Sequence, residues 1–269
     1  MGDFQKIVWD YYALAGRHDL PWRLPGKNGA LDPYAIVVSE LMLQQTQVPR
    51  VVPKFEIFMQ AFPTFGALAA APLGDVLRAW SGLGYNRRAK FLWQTAGVVA
   101  GEFAGQLPND RAALVALPGI GPNTAGAILA YAFNAPAIFV ETNIRSVFIH
   151  HFFAGETGVA DKQIIALLEQ SLANAREPRA WYWALMDYGT HLKQTSGNAA
   201  RASAMYAKQS KFEGSRRQVR GQVLWALAAR PQTLAQLARQ IADERLPAVL
   251  DDLLRERLIQ KQGGTYALA

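Results

Sequence analysis

From Phe4 to about Gly189 apolar residues recur at three- and four-residue spacing, in segments of roughly 10 to 18 residues. Proline and glycine break these segments at Leu20-Pro21-Trp22, Leu31-Asp32-Pro33, Phe62-Pro63-Thr64, Leu107-Pro108-Asn109 and Leu117-Pro118-Gly119. Asp32 ahead of Pro33 reads as an N-cap followed by a proline in the first helical turn, where its missing N–H costs nothing. No convincing alternating run interrupts the pattern. Residues 1–192 are therefore predicted to form one all-α domain.

The pattern changes after Lys193. Lys193, Arg201, Lys208, Lys211, Arg216, Arg217 and Arg220 stand against a single acid, Glu213. The segment 193–214 reads as a basic linker, either a solvated connector or an extended stretch lying over something negative. Residues 215–269 then predict three short helices, over 219–229, 233–242 (capped by Thr233) and 246–256. The stretch 257–268 alternates around Gly263-Gly264, a hairpin signal. Such an order is similar to a winged helix, a variant of the helix-turn-helix. The third helix mixes Asp251, Asp252 and Glu256 with Arg245, Arg255 and Arg257, which leaves DNA contact by that helix open.

Composition narrows the function. An apolar fraction of 51% with 18% charged residues excludes a disordered or fibrous chain. No apolar run approaches the roughly 18 residues of a membrane span, and the first residues lack the basic and apolar regions of a secretory signal. The chain has no cysteine, which excludes disulfides, cysteine nucleophiles, thiolate zinc sites and cysteine-ligated iron–sulfur clusters. Four histidines, two of them adjacent, argue against a histidine metal cage. The expectation is a monomeric cytoplasmic protein without a membrane partner. A net charge of +7 favours a polyanion, because each neutralised phosphate releases counterions.

Four constellations could carry chemistry. In Pro33–Gln47, Ile36, Val37, Val38, Leu41, Met42 and Leu43 predict a buried helix with Glu40 inside it and Gln44 one turn on. A carboxyl in such surroundings resists ionisation and suits a general acid, unless an arginine or a backbone amide pairs with it. Leu117-Pro118-Gly119-Ile120-Gly121-Pro122-Asn123-Thr124, with helices before and after, is a helix-hairpin-helix pattern whose exposed amides fit a DNA phosphate. Phe139-Val140-Glu141-Thr142-Asn143 places an acid at a helix start, as a reactive group or only a cap. Gly82-Leu83-Gly84-Tyr85-Asn86-Arg87-Arg88 sets an aromatic on a glycine turn before basic residues. It reads as a base wedge over a phosphate contact, or as a core tyrosine beside a solvated helix.

Together these residues resemble the helix-hairpin-helix DNA glycosylases, most closely the MutY-type adenine glycosylases. The likeness runs from about Leu20 to Gly189 and includes Leu20-Pro21-Trp22-Arg23, Ser39-Glu40 with Gln44-Gln45-Thr46-Gln47, Ala71-Pro72-Leu73, Trp80–Tyr85, the hairpin at 117–121 and Ala184–Gly189. It implies a fold of two helical lobes, double-stranded DNA with a damaged or mispaired base as partner, and hydrolysis of an N-glycosidic bond. Glu40 matches the acid that protonates the flipped adenine, and Asn143 a polar residue near the sugar or nucleophile. Gln44 and Tyr85 match residues facing the opposite strand, with Gln45, Thr46, Arg87 and Arg88 beside them. Leu117, Gly119, Gly121, Asn123 and Thr124 belong to the phosphate grip, and the carbonyls of Val115, Leu117 and Ile120 match a Na+ or K+ site. Asn123 stands where bifunctional relatives carry a lyase lysine, which implies a monofunctional enzyme.

Three departures accompany the likeness. Glu141 replaces the family's aspartate, and a displacement near 1 Å costs about a hundredfold in rate unless the pocket is reshaped. The four-cysteine iron–sulfur loop is absent, with the basic stretch carrying Lys208 and Lys211 in its place as a DNA contact. The domain that senses 8-oxoguanine is replaced by the winged-helix-like tail. Adenine opposite 8-oxoguanine or G is the expected substrate. Excision of T or U opposite G, of hypoxanthine, or damage binding without catalysis remain the alternatives.

Overall fold

The computed structural model describes residues 1–26, 29–173, 175, 177–208 and 210–269. Gln209, in the predicted linker, lies outside them. The chain divides into two compact units, the first made of residues 1–36, 109–116 and 120–208, the second of 37–108, 117–119 and 209–269.

The first unit is helical: α1 (Gly2–Ala15), α7 (Arg111–Ala116), α8 (Pro122–Phe133), α9 (Thr142–Phe152), α10 (Asp161–Ala173) and α11 (Pro178–Thr195). Its core is aromatic. Phe4 of α1 meets Phe148 of α9 at 5.3 Å and Trp181 of α11 at 6.0 Å, edge to face in the second case. Gly189 lets α9 and α11 close up, since a Cβ there would lie 2.5 Å from the Asn143 carbonyl oxygen. The segment after α11 is more ordered than a linker. A short 3₁₀ turn, Ala199–Ala202, packs on α9, and Val159 exchanges backbone hydrogen bonds with Ala202 and Ala204 at 2.9 Å. Ala200 and Ser203 are buried there.

A buried ion cluster ties this unit together. Asp187 of α11 is 2% exposed and accepts hydrogen bonds from Arg23 (2.7 and 3.0 Å) and from Arg17 (2.8 Å from the backbone, 2.7 Å from Nε). Burial alone would raise its pKa; the bonds and charges of the two arginines outweigh that and hold the carboxyl below its ordinary range. Two of the recognised motifs, Leu20–Arg23 and Ala184–Gly189, thus meet in one ion cluster.

The second unit takes α2 (Pro33–Leu43) from Val37 onward, then α3 (Val48–Ala61), α4 (Phe65–Ala70), α5 (Leu73–Ala79) and α6 (Arg87–Glu102). It closes with α12 (Arg216–Ala229), β1 (Gln232–Thr233), α13 (Leu234–Gln240), α14 (Leu246–Arg255), β2 (Ile259–Gln262) and β3 (Thr265–Leu268). The predicted cap of α2 is present, Asp32 accepting from the Tyr34 amide at 2.9 Å. Thr233 caps α13 in a full capping box with Gln236. In α14, Leu246, Val249, Leu250 and Leu253 are buried at helical spacing, each contributing about 1.5–3 kcal/mol of apolar burial. The hairpin pairs Gln262 with Thr265 across Gly263 and Gly264, both at positive φ, as a two-residue turn of this hand requires.

Two features of the tail were not legible in the chain. β1 adds a third strand, giving the antiparallel order β1-β3-β2. A two-residue strand carries no periodicity, so only its pairing with Thr265 and Tyr266 defines it. Residues 209–269 also group with 37–108 rather than standing apart as a separate domain. A Cβ on Gly74 of α5 would lie 3.0 Å from the Ala269 carbonyl, Arg78 Nε donates to the Ala228 carbonyl at 3.3 Å, and Lys90 donates to the carbonyl of Glu256 at 2.5 Å.

Candidate active site and DNA-facing surface

Glu141 precedes α9 and occupies its N-cap position, yet its side chain makes no capping hydrogen bond. The cap reading therefore falls away. Burial pushes its carboxyl pKa up, and the nearby Arg145 guanidinium offsets part of the rise. That arginine is itself committed to Asp161, by two bonds of 2.7 Å. The result is an acid, at the positive end of a helix, whose side chain caps no backbone amide.

The approach to Glu141 is held at several points. Residues 137–140 cross α8 where Gly126 leaves room; a Cβ there would lie 2.8 Å from that of Phe139. Tyr182 donates to the Ala137 carbonyl at 2.7 Å, and its ring stacks on Phe139 at 4.1 Å. Arg111 donates to the carbonyls of Ile138 and Pro122 at 3.1 Å. Asn123 donates to the Val140 carbonyl at 3.2 Å, so the amide expected on DNA fastens the residue before Glu141. Asn143 follows as the second residue of α9, half-buried, its amide 3.4 Å from the Thr190 hydroxyl. Arg111, Gly126, Tyr182 and Gly189 were not among the predicted site residues. The close Pro-Gly and Phe-Val-Glu motifs were signals, but the partners across helices were not.

In the second unit α2 is buried on nearly every side, as predicted. Of residues 36–42 only Glu40 keeps partial exposure, so it points into the one sector left unsealed. The helix ends at Leu43, and Gln44, expected one turn further along it, lies in the closing turn. Gln45 in that turn has φ 55° and Tyr85 has φ 47°, a left-handed backbone that costs a non-glycine residue about 1–2 kcal/mol.

Arg88 corrects an expectation. Predicted as a phosphate contact, it is 6% exposed and its guanidinium donates to the carbonyls of Leu41 (2.7 Å), Met42 (2.8 Å), Gln44 and Gly84 (3.1 Å) and to the Thr46 hydroxyl (3.0 Å). Burial lowers its pKa to about 10, which leaves it charged. It supplies the cation that the orphan carbonyls at the end of α2 need, and packs over the Trp80 and Tyr85 rings. Thr46 is likewise engaged from within. Arg87, Lys208 and Lys211 are exposed, as a DNA-contacting role requires.

The hairpin turn has the expected form. Gly119 sits at φ 76°, where a Cβ would also lie 2.6 Å from that of Phe91, and Thr95 donates to the Pro118 carbonyl at 2.9 Å. Gly119 and Gly121 are exposed, Thr124 is half-buried, and Leu117 and Ile120 are buried while Val115 is exposed. Among the described residues no helix is long and apolar enough to cross a membrane, and no cluster of three metal-ligating side chains occurs. With no cysteine, the chain has no ligands for a thiolate-bound cluster.

Residues 38–173 match the HhH-GPD superfamily, described as base excision DNA repair protein, and the chain belongs to this family. Within it, the chain is 35% identical to the adenine DNA glycosylase of Mycolicibacterium smegmatis, over 94% of this chain and 92% of that protein. Adenine DNA glycosylases of Mycobacterium tuberculosis (H37Rv) and Buchnera aphidicola (Baizongia pistaciae) are 42% and 36% identical over 55% and 69% of this chain. The chain matches only about half the length of these two, 46% and 52%. Among solved structures, a thermostable thymine-DNA glycosylase is similar with a TM-score of 0.58 at 26% identity, covering 70% of this chain and 87% of its own. A trapped endonuclease III–DNA covalent intermediate has a TM-score of 0.54 at 18% identity, over 72% and 84% of the two chains, and shares the fold.

Proposed function

We propose that this base-excision DNA glycosylase removes adenine from a mispair, with 8-oxoguanine or G opposite, and is monofunctional. The observation that carries the reading is Glu141, a half-buried acid at a helix N-terminus whose side chain makes no capping bond and whose preceding residues are fastened by Tyr182, Arg111 and Asn123. The relatives named as adenine DNA glycosylases, one of them aligned over nearly the whole chain, support adenine as the base.

Glu40 acts as the general acid, delivering a proton to N7 of the flipped adenine as the C1′–N9 bond breaks. The Glu141 carboxylate stabilises the positive charge developing on the sugar, with Asn143 beside it, and water adds at C1′, giving up its proton to the Glu40 carboxylate, to leave an abasic site. Asn123 offers no amine for a Schiff base, so the strand is not cut. Gln44, Gln45 and Tyr85 occupy the space left in the duplex. Leu117, Gly119, Gly121 and Thr124 present the hairpin backbone to phosphates, with Arg87, Lys208 and Lys211 as further cationic contacts. The Val115, Leu117 and Ile120 carbonyls suit a monovalent cation there. The enzyme works as a monomer on double-stranded DNA within the cell.

Single-turnover excision on duplexes containing A opposite 8-oxoguanine, A opposite G, T opposite G, U opposite G and hypoxanthine tests this. Alkali-labile product from the adenine duplexes, lost in Glu40→Gln, is the expected result. Preferential excision of thymine would shift the substrate toward that of the solved relative; full activity in Glu40→Gln would remove its acid role.

A further inference from the structure

Glu141 and Arg145 stand four residues apart at the start of α9, where the Arg145 amide donates to the Glu141 carbonyl at 2.8 Å. That spacing puts both side chains on one face of the helix, acid before base, the favourable order for an ion pair. The pair is not closed. Among the described residues no salt bridge engages Glu141. The Arg145 guanidinium, 15% exposed, turns instead to α10, where Nε and Nη2 donate to the two carboxylate oxygens of Asp161, each at 2.7 Å. Such a two-bond fork fixes the plane of the guanidinium as well as its position.

Asp161 sits on backbone that is itself fastened. It opens α10, and the residue before it, Ala160, gives its amide to the Gln163 side chain at 3.0 Å. Val159, two residues before, is buried and tied to Ala202 and Ala204 of the segment after α11. The elements packed on α9 include α10, α11 and residues 199–202. Of the described residues, Arg145 is the charged group that acts on Glu141, and Asp161 and Glu141 are those that act on Arg145. The other charged or titratable side chains there, Lys162 and Glu169 of α10, Asp187 and His191 of α11 and Arg201 among them, act on neither. A guanidinium closed on Glu141 would set a matching cation against the oxygens that face the sugar. One held off by Asp161 leaves those oxygens open.

We propose that Asp161 is a positioning residue for the reaction: it draws the Arg145 guanidinium away from Glu141, so that the carboxylate stays open to the cationic sugar. The inference rests on the role given to Glu141 above. Single-turnover excision is followed from pH 4.5 to 8 on the duplex the full-length protein cleaves best, with folding at each pH checked by circular dichroism. The parent is compared with Asp161→Asn, Arg145→Met, their double variant and Glu141→Gln. The low-pH limb reports ionisation of Glu141, and the plateau reports its access to the sugar. In Asp161→Asn the released guanidinium closes on Glu141, so the limb moves down by about 0.5–1 pH unit while the plateau falls by about tenfold. In Arg145→Met the limb moves up by about the same interval and the plateau stays within about threefold of the parent. The double variant has no arginine to close and recovers the plateau lost in Asp161→Asn. A residue that merely supports α10 would lower the plateau, leave the limb in place and gain nothing from the second substitution. An unmoved or raised limb in Asp161→Asn overturns the proposal even if Arg145→Met fails to fold, as does a double variant that folds but stays as slow as Asp161→Asn. Full excision in Glu141→Gln would sink the reading of Glu141 and this inference with it; excision lost in Glu141→Gln beside an unmoved limb in Asp161→Asn would sink the inference alone.

Discussion

Asp187 and Glu141 are acids of the same unit in opposite circumstances. Asp187 is sealed in and receives the guanidinium groups of Arg17 and Arg23, so its pKa is held down. Glu141 is half-buried without a capping bond, next to an arginine already committed to Asp161, and burial raises its pKa. A carboxylate whose charge is fully matched stabilises the fold; one whose charge is only partly matched, as by Arg145 here, is held at a cost to stability and is available for chemistry. The same division appears in the second unit, where Arg88 is consumed by carbonyls and Arg87 is exposed.

Substitutions test this contrast. Asp187→Ala leaves Arg23 buried beside no anion and is expected to cost about 3–5 kcal/mol in a urea melt. A loss below about 1 kcal/mol would dissolve the distinction. The sign with pH follows from the depressed pKa: the contribution of Asp187 is complete above its ordinary 3.8 and disappears as pH falls through the lower folded value. Glu141→Gln is expected to slow single-turnover excision by about 10²- to 10³-fold while leaving the fold intact. Gly189→Ala drives a Cβ into the Asn143 carbonyl and should cost about 1–3 kcal/mol, with excision falling as Asn143 shifts.

The smallest effect is the most specific. Glu141 has a folded pKa above its ordinary 4.5, so the folded chain binds more protons than the unfolded one between the two values. Its contribution to stability is greatest at low pH and is lost as pH rises through that interval. Glu141→Gln should therefore raise stability near neutral pH by about 0.5–2 kcal/mol, and flatten the pH dependence of the melt across the same range. In the parent protein, excision should rise with pH as Glu141 ionises. A variant less stable than the parent at neutral pH would place Glu141 with Asp187 among structural acids.

Much of this was open to reading from the chain, and for definable reasons. Helix positions follow from local spacing, so the buried α2, the Thr233 cap and the Gly263-Gly264 turn could be placed without coordinates. Candidate chemistry was legible where unusual residues stood in short motifs, as with Glu40 in an apolar run or Glu141 after Phe139-Val140. What could not be read depends on partners far apart in sequence. Arg88 sits in the first turn of α6, just after Tyr85, and looks solvated until the end of α2, more than 40 residues earlier, supplies its acceptors. Asn123 looks like a hairpin contact until Val140 lies across it.

Sequence by itself determined the helical class, the hairpin, the absence of thiolate chemistry and the candidates for the reaction, because these depend on composition and near neighbours. Tertiary structure alone decided which charges are spent on the fold and which are left for a ligand, and joined the tail to α5 and α6. Burial and pairing are properties of the packed chain, and a residue's chemistry is set by what packing brings against it.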